Sequence, residues 1–471
     1  MKRKLFVLTI MVCAIFLAAG ASAWGAKGGI PGKPPPGDEE DPPDTPIDGY
    51  YFWKLGHMDG PHDSSKALGI SRDGKTAVGS TVVVDFTRAW RLDIDWAIAT
   101  DDGVPPLYNE LQVQEDIGIV APSQPSAAYA ASDMIYDPTS YDKVNLVLDW
   151  GGSTAVGTYN VGQVSYGIQW LLPVLDSVDE GDYLAIPDFG GGISDMNVKD
   201  VSADGVILVG TGNTMTGLQA FRADTMVVDD AGVPVAAQLT IQDAVTLQTL
   251  RSSAAEAVSE DGLIIAGYGA TKVANRAFVT TVIDAATDPI TLESTILPML
   301  GGGKYAEAYA MTPDGAIIAG RSDSPKGPVA CIWFVDATTE EWVVKSLGAL
   351  SKKSKDAVAT GIAYRPGSLV GELIVVGRSK SILYPSEAFV WTGNPVLEDD
   401  EIGYFYDLEY ILTKTGAGEA SLMGSSWILY EATGISAAGD RIVGWGINPE
   451  GGVEAWLVTG FPFDELVFTH E

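Results

Sequence analysis

Short aliphatic runs recur along this chain, and each lies between a polar turn sequence and a glycine. The clearest examples are Ser-Arg-Asp-Gly-Lys-Thr-Ala-Val-Gly at residues 71–79 and Thr-Pro-Asp-Gly-Ala-Ile-Ile-Ala-Gly at residues 312–320. An Asp-Gly step between apolar segments is typical of a tight two-residue hairpin turn, because glycine reaches positive φ without a steric cost. The aliphatic residues that follow predict a strand that is buried on both faces.

The phrase occurs seven times, and its second glycine is its most regular feature. These repeat glycines are Gly79, Gly157, Gly210, Gly267, Gly320, Gly377 and Gly444. A glycine inside a strand pattern indicates a β-bulge or the close approach of another backbone. Four copies carry an aspartate directly before the turn glycine, namely Asp73, Asp204, Asp261 and Asp314. We interpret these aspartates as turn hydrogen-bonding residues, with calcium binding as the alternative.

Each repeat also predicts further strands. A small residue followed by an aromatic one, as in Ala89-Trp90 and Ala220-Phe221, indicates a third strand, and Leu-Gly-like segments supply a fourth. Four short strands per unit are typical of a propeller blade, so the chain is predicted to be all-β, a seven-bladed β-propeller of four-stranded blades. The segment at residues 50–55 is expected to complete the last blade beside residues 455–458, which removes two exposed sheet edges.

The repeat resembles the HAF-type repeat of bacterial exported proteins, roughly Ala-x-x-Ile-Ser-x-Asp-Gly-x-x-x-x-Gly followed by Ala-Phe-x-Trp. The last unit is most similar, with Ala432-Thr433-Gly434-Ile435-Ser436, then residues 442–446, then Glu454-Ala455-Trp456. The resemblance covers residues 50–471 and implies an extracellular propeller-like fold without assigned catalytic residues. Many such proteins, related to the PEP-CTERM type, end in a sorting signal; residues 461–471 do not match it, so anchoring by that route is not expected.

Three segments are predicted along the chain. Residues 1–23 have a basic start, an apolar stretch and Ala21-Ser22-Ala23, which indicates a secretory signal peptide cleaved near Ala23. Residues 24–49 are rich in Gly, Pro and acidic side chains and predict a disordered linker. Residues 50–471 form the propeller, and Cys331 is then the single cysteine of the mature chain, which we expect to be a buried strand residue.

The charge of the chain restricts its partners. Its 62 acidic and 29 basic residues give a formal net charge of −33, so nucleic acid and anionic membranes are poor partners. No stretch after residue 23 is long and apolar enough for a membrane span. We therefore expect a secreted monomer, extracellular or periplasmic, with a polysaccharide or protein partner.

Candidate chemistry is sparse. His57, Asp59, His62 and Asp63 combine metal-ligating side chains in one short segment, but their spacing matches no established closed site. We therefore interpret the segment as a polar inter-strand loop, with a site for zinc or another transition metal as the alternative. No cofactor is predicted apart from the calcium alternative, and no nucleophile, phosphate-binding or dinucleotide motif is present. Trp96, Trp150, Trp427 and Trp445 fall off the repeat's packing position and are the ligand-stacking candidates. Residues 91–126 and 393–428 exceed a plain blade, and are either ligand-binding or covering loops.

Two functions remain open at this point. The first is an exported non-catalytic scaffold for recognition or surface association. The second is a carbohydrate-active hydrolase or lyase that uses carboxylates at the propeller axis. Four or more inward-facing Asp, Glu, Tyr or Arg residues in a funnel would favour the enzyme, whereas a bare or plugged channel would favour binding.

Overall fold

The structure is a computed structural model, and the residues it describes lie between residues 51 and 460. The described residues are 51–56, 64–83, 86–94, 109–110, 126–132, 154–161, 164–170, 183–186, 195–215, 217–228, 234–243, 249–272, 274–284, 291–301, 303–351, 355–365, 371–395, 403–414 and 427–460. The predicted signal peptide and linker lie outside this range. No helix among the described residues is long and apolar enough to cross a membrane.

The described strands form seven antiparallel four-stranded sheets, which confirms the predicted propeller. Blade 1 contains β2 (Ser64–Ile70), β3 (Thr76–Val83), β4 (Phe86–Asp93) and β5 (Asn109–Glu110). Blade 2 contains β6 (Ser126–Ala131), β7 (Ala155–Val161), β8 (Val164–Trp170) and β9 (Tyr183–Ile186). Blade 3 contains β10 (Met196–Val201), β11 (Ile207–Thr214), β12 (Gly217–Val228) and β13 (Pro234–Gln238).

The remaining blades follow the same order. Blade 4 contains β14 (Ser252–Val258), β15 (Ile264–Ala270), β16 (Asn275–Asp284) and β17 (Thr291–Ile296). Blade 5 contains β18 (Ala306–Met311), β19 (Ile317–Ser324), β20 (Gly327–Val335) and β21 (Trp342–Gly348). Blade 6 contains β22 (Ala357–Tyr364), β23 (Leu373–Ser379), β24 (Glu387–Gly393) and β25 (Gly403–Asp407), followed by α1 (Leu408–Lys414). Blade 7 contains β26 (Ile428–Ile435), β27 (Arg441–Ile447), β28 (Val453–Thr459) and, from the other end of the chain, β1 (Tyr51–Gly56).

The ring closes through β1, as the sequence predicted. β1 pairs antiparallel with β28, with Trp53 opposite Leu457. The Trp53 indole also donates to Thr459 Oγ1 at 3.0 Å, and Phe52 packs edge-on against Trp427 with the ring centres 5.4 Å apart. Main-chain pairing and aromatic packing thus both hold the closing strand.

The first strands of neighbouring blades pack together around the axis, and the core lies between the blades. The tryptophans at the packing position of the repeat are all fully buried there, namely Trp90, Trp170, Trp333, Trp391 and Trp456. Cys331 is buried opposite Gly320, as expected, and its burial raises the pKa of the thiol. In α1, the apolar side chains Leu408, Ile411 and Leu412 are buried in the core between blades 6 and 7. This described part of residues 393–428 therefore covers the core.

The turn between the first and second strands is longer than predicted. In blade 4 the Ser259 amide donates to Ile264 O at 2.8 Å, and the Gly262 amide donates to Ser259 O at 3.0 Å, so four residues form the turn instead of two. Ser259 donates to Asp261 Oδ1 at 2.6 Å, and the amides of Ile264 and Leu263 donate to Ser259 Oγ and Asp261 Oδ1. These side-chain bonds stabilise the wider turn, while Gly262 still supplies the positive φ (71°).

The same turn geometry recurs in other blades. Asp73, Asp204 and Asp314 each accept from the turn serine or threonine two residues before them and from the amide two residues after them. All four repeat aspartates therefore make the hydrogen bonds that the turn interpretation requires.

Candidate functional site

A β-bulge lies at the same place in the first strand of every blade, directly opposite the repeat glycine. In blade 4, Ala255 pairs with Gly267 and Ala257 pairs with Ala266, which leaves Glu256 outside the ladder. A Cβ added to Gly267 would lie 1.9 Å from Ala254 O, so glycine is needed for the strands to approach at this point. At the other repeat glycines an added Cβ would likewise meet a first-strand carbonyl oxygen, at 2.0–2.1 Å.

Because of the bulge, one residue of each blade lines a cavity on the propeller axis. This axial cavity has a volume of about 270 Å³. The seven bulge residues that line it are Leu68, Tyr129, Lys199, Glu256, Tyr309, Thr360 and Thr433. The position after the bulge is Gly or Ala in six blades and Asp200 in blade 3. The seven bulge residues therefore determine most of the chemical character of the axial cavity wall.

The bulge residues on blades 6 and 7 serve the fold. Thr360 Oγ1 donates to Ala432 O at 2.5 Å, and Thr433 Oγ1 donates to Ala67 O at 2.9 Å, so each hydroxyl joins its blade to the next. The chemically distinctive bulge residues, Tyr129, Lys199, Glu256 and Tyr309, are on consecutive blades 2 to 5. One side of the axial cavity is thus charged and aromatic.

A second cavity, of about 390 Å³, adjoins this side between blades 3 and 4. Lys199 and Glu256 line both cavities. The rest of its wall is rich in hydroxyl and amide groups, from Ser165, Asn197, Thr211, Ser252, Tyr268 and Asn275, and it includes one carboxylate, Asp195. Asp195 Oδ1 accepts the backbone amide of Ser165 at 2.8 Å. The two cavities together form the candidate site.

Glu256 is the most perturbed acid of this site. Its burial raises the pKa of the carboxyl to about 7, and the negative charges of Glu307 and Asp200 add to the rise, while Lys199 and a hydrogen bond from Tyr268 oppose it. Burial, followed by the charge of Glu256, raises the pKa of Tyr268 to about 12. Near neutral pH the Glu256 carboxyl is therefore divided between its protonated and ionised forms.

Glu307, on the next blade, has the opposite character. Burial alone would raise its pKa, but hydrogen bonds from Arg321 and Tyr309 lower it below the ordinary value. Glu307 Oε2 accepts from Arg321 Nε at 2.7 Å and from the Tyr309 hydroxyl at 2.5 Å, and Oε1 accepts from Asn275 at 3.3 Å. Glu307 is thus a fixed carboxylate with occupied oxygens.

At the turn end, Arg72 of blade 1 crosses the axial cavity. Its guanidinium donates to Val201 O at 2.7 Å and to Val258 O at 2.6 Å, on blades 3 and 4. It also lies 3.6 Å from Asp200, whose carboxylate accepts the amides of Val201 and Val258, each at 2.8 Å. Burial raises the pKa of Asp200, and the charge of Arg72 opposes that rise.

The structure places only some of the residues that the sequence singled out. Trp427 is 2% exposed and lies in the core. Trp445 stacks on Tyr430 at 4.6 Å, has the Lys66 ammonium 3.8 Å from its ring centre, and donates to Glu431 Oε2 at 3.1 Å. The described residues do not include the other candidates, which are Trp96, Trp150, His57, Asp59, His62 and Asp63. Within the described part of the chain, no group of three or more His, Cys, Asp or Glu side chains could hold a metal ion.

Sequence reasoning missed Lys199 and Glu256, although a signal for them exists. Each lies three residues before the turn serine, at Ser202 and Ser259, and Tyr309 stands at the same distance from Thr312. A chemical comparison of this one position across the repeats would have separated the charged blades from the others.

No protein-family model and no curated protein matches the chain. Similar solved structures include TolB from Acinetobacter baumannii, with 11% identity and a TM-score of 0.34 over 62% of this chain and 55% of that one. Sqt1 from Chaetomium thermophilum has 12% identity and a TM-score of 0.41, with 85% of each chain covered. Prolyl oligopeptidase B from Galerina marginata, bound to a 35mer hydrolysis and macrocyclization substrate, has 10% identity and a TM-score of 0.40 over 81% of this chain and 46% of that one. The chain thus spans about half the length of this TolB and of the oligopeptidase.

Proposed function

We propose that this protein is an exported, non-catalytic recognition scaffold of the HAF-repeat type, which binds a polysaccharide at the site formed by Lys199 and Glu256. The signal-like residues 1–23 and the repeat phrase support export. The observation that carries the proposal is the pair of cavities that share Lys199 and Glu256, because their walls combine hydroxyl and amide groups with Tyr268 and Tyr309. Such a wall suits a polyhydroxylated ligand.

The pairing of the ionisable groups favours binding over catalysis. The axial cavity is lined by five ionisable groups, namely Tyr129, Asp200, Glu256, Tyr309 and Arg72. Their number alone would suit an enzyme. However, Asp200 is bonded to two amides beside Arg72, and the Tyr309 hydroxyl is bonded to Glu307. Glu256 is then the carboxyl of the axial cavity best placed to meet a ligand, and Asp195 in the second cavity is already bonded to the Ser165 amide. Hydrolysis of a glycosidic bond ordinarily requires two carboxyl groups.

The alternative function, a carbohydrate-active hydrolase or lyase, is favoured by one specific observation. Glu256 and Glu307 stand on neighbouring blades with their pKa values moved in opposite directions, which is the arrangement expected of a general acid and a carboxylate base. The hydrogen bonds that occupy both oxygens of Glu307 count against it as the base.

A combined binding and turnover assay separates the two functions. The mature chain would be titrated by calorimetry with a panel of soluble neutral and acidic polysaccharides, and each mixture would then be assayed for new reducing ends and unsaturated products. We expect saturable binding without product, weakened by Tyr268→Phe and unchanged by Tyr410→Phe, a substitution at an exposed tyrosine of α1. Product release would instead establish the enzyme, and binding of no saccharide would point to a protein partner.

A further inference from the structure

The two charged bulge residues of the site lie on neighbouring blades without a direct bond between them. Lys199 and Glu256 occupy equivalent positions on blades 3 and 4 and line both cavities. Among the residues that the structure describes, Lys199 makes no ion pair, and its ammonium contacts the ring of Tyr129, 4.3 Å from the ring centre. A cation and a carboxyl therefore face the same space without a direct bond.

Other buried charges near the axis have partners of opposite sign. Glu307 pairs with Arg321, Asp200 lies beside Arg72, and Glu431 lies 3.4 Å from Arg378. A charge held in a partly buried site is costly unless it is paired, so the exception at Lys199 needs an explanation. An anionic group on a ligand would provide the missing partner.

This inference rests on the proposed function: we propose that the ligand is a sugar carrying a carboxylate, and that this carboxylate binds between the Lys199 ammonium and the carboxyl group of Glu256. The ammonium supplies the opposite charge, and the protonated Glu256 donates one hydrogen bond to the ligand. The hydroxyl and amide wall between blades 3 and 4 then meets the ring hydroxyls.

The charge of the whole chain limits the ligand to few anionic groups at this site. A net charge of −33 and the nearby Asp195 disfavour a dense polyanion. A single uronate residue brings one negative charge together with several hydroxyl groups. The same chemistry is present in a free sugar acid and in a uronate of a polysaccharide, so both must be tested.

Proton linkage gives the proposal a distinctive signature. The titratable and charged groups around Glu256 are Lys199 and Asp200 on β10, Tyr268 on β15, Glu307 and Tyr309 on β18, and Arg321 on β19. Glu256 must be protonated to donate to the ligand, and its pKa is about 7, so affinity is high below that pH and decreases above it. Full linkage to this one proton predicts a loss of affinity of about tenfold between about pH 6 and about pH 8.

The test is calorimetry with the mature chain at several pH values. The probes are glucuronic acid, galacturonic acid, an oligosaccharide that carries one uronate residue, and the matched neutral sugars glucose, galactose and the corresponding neutral oligosaccharide. We expect the uronates to bind at least about tenfold more tightly than their neutral counterparts at about pH 6. Monomer and oligomer distinguish a free sugar acid from a polysaccharide residue as the natural ligand.

Variants assign the effect to the two residues. Lys199→Met should remove the preference for uronates and keep the weaker binding of neutral sugars, whereas Lys272→Met, at an exposed lysine near the same cavity wall, should change neither. Glu256→Gln should retain uronate binding and make it independent of pH, because the amide donates at every pH. Glu260→Gln, in the exposed turn that follows, should keep the pH dependence of the unmodified protein. Thermal unfolding confirms that each variant is folded.

The outcomes separate this inference from the proposed function. If neutral saccharides bind as well as uronates, or if uronate affinity is the same in Lys199→Met, the inference is wrong and the recognition function stands. If no saccharide binds, both are wrong. Binding of inorganic phosphate or of a short peptide with a free carboxyl terminus, in preference to the uronates, would also overturn the acidic-sugar assignment.

Discussion

The guanidinium of Arg72 lies 3.6 Å from the carboxylate of Asp200, although the two residues belong to blades 1 and 3. Both side chains are largely buried, with exposed fractions of 18% and 21%. Because Arg72 also donates to carbonyls of blades 3 and 4, one side chain connects three blades across the axis. The axial cavity is therefore bridged at its turn end by charge-assisted hydrogen bonds.

Replacing this arginine should destabilise the whole ring. Arg72→Met removes two hydrogen bonds and leaves Asp200 without its cation, so we expect a loss of about 2–4 kcal/mol in the free energy of unfolding. Chemical denaturation measures this loss. The double variant Arg72→Met/Asp200→Asn should recover part of it, because no uncompensated charge remains. Purely additive effects would show that the two residues do not interact energetically.

The loss of unfolding free energy in Arg72→Met should also depend on pH. Burial gives Asp200 a raised pKa in the folded protein, so protonation favours the folded state, and this contribution is lost as the pH rises through the folded pKa. Without Arg72 that pKa rises further. Arg72→Met should therefore be less harmful at about pH 5 than at about pH 7.5. Equal losses at both values would contradict the role of the Asp200 charge.

The repeat glycine should tolerate no side chain. In Gly320→Ala the new Cβ would lie 2.0 Å from Glu307 O, so the first two strands of blade 5 must separate. We expect a loss of about 1–3 kcal/mol in unfolding free energy. Gly301→Ala is the matched control, because an added Cβ there meets nothing within 4 Å. Equal stability of the two variants would contradict the close approach.

The repeat aspartates offer a test of turn bonding against calcium binding. Asp261→Asn keeps an oxygen that can accept from Ser259 and from the Leu263 amide, so its stability should change by less than about 0.5 kcal/mol. Asp261→Ala should lose about 1 kcal/mol. Neither effect should depend on calcium or EDTA in thermal unfolding. A calcium-dependent loss in Asp261→Asn would support the metal site instead.

The closing strand should be required for folding. Deletion of residues 51–56 exposes the edge of β28 and removes Phe52 from its contacts with Trp427 and Trp456. We expect aggregation or a markedly lower melting temperature, measured by light scattering and circular dichroism. Deletion of residues 1–44, which contain none of the seven blades, should leave the melting temperature unchanged.

Cys331 provides a direct reporter of unfolding. Its side chain is fully buried and burial raises the pKa of its thiol, so the folded mature chain should not react with a thiol reagent such as DTNB at neutral pH. Reaction should begin only at denaturant concentrations that unfold the ring. Rapid labelling of the native protein would show that blade 5 opens locally.

The fold could be predicted because its physical requirements recur in the sequence. Gly267 and its equivalents mark the bulges, Asp261 marks the turn, and residues 50–55 match an unpaired edge at residues 455–458. The turn length was predicted incorrectly, because Asp-Gly was interpreted alone and the bond from Ser259 to Ile264 was not considered.

The candidate site could not be predicted in the same way. Lys199 and Glu256 stand at a repeat position whose residue type differs from blade to blade, so the repeat phrase itself does not single them out, and only a comparison of the chemistry at that position across the blades does. Their importance arises from the proximity of blades 3 and 4 and from the burial that alters Glu256. These are properties of the assembled ring, whereas Trp427 and Trp445 were selected because they fall off the repeat's packing position.

The pairing of β1 with β28 sets the order of events when the protein matures. The pairing of Phe52 with Val458 joins two strands that are 406 residues apart in the chain, with the other six blades between them. Contacts so distant in sequence form late in folding. An emerging chain therefore cannot complete blade 7 until β28 has been synthesised, and any factor that assists its folding must act on a ring that is still open.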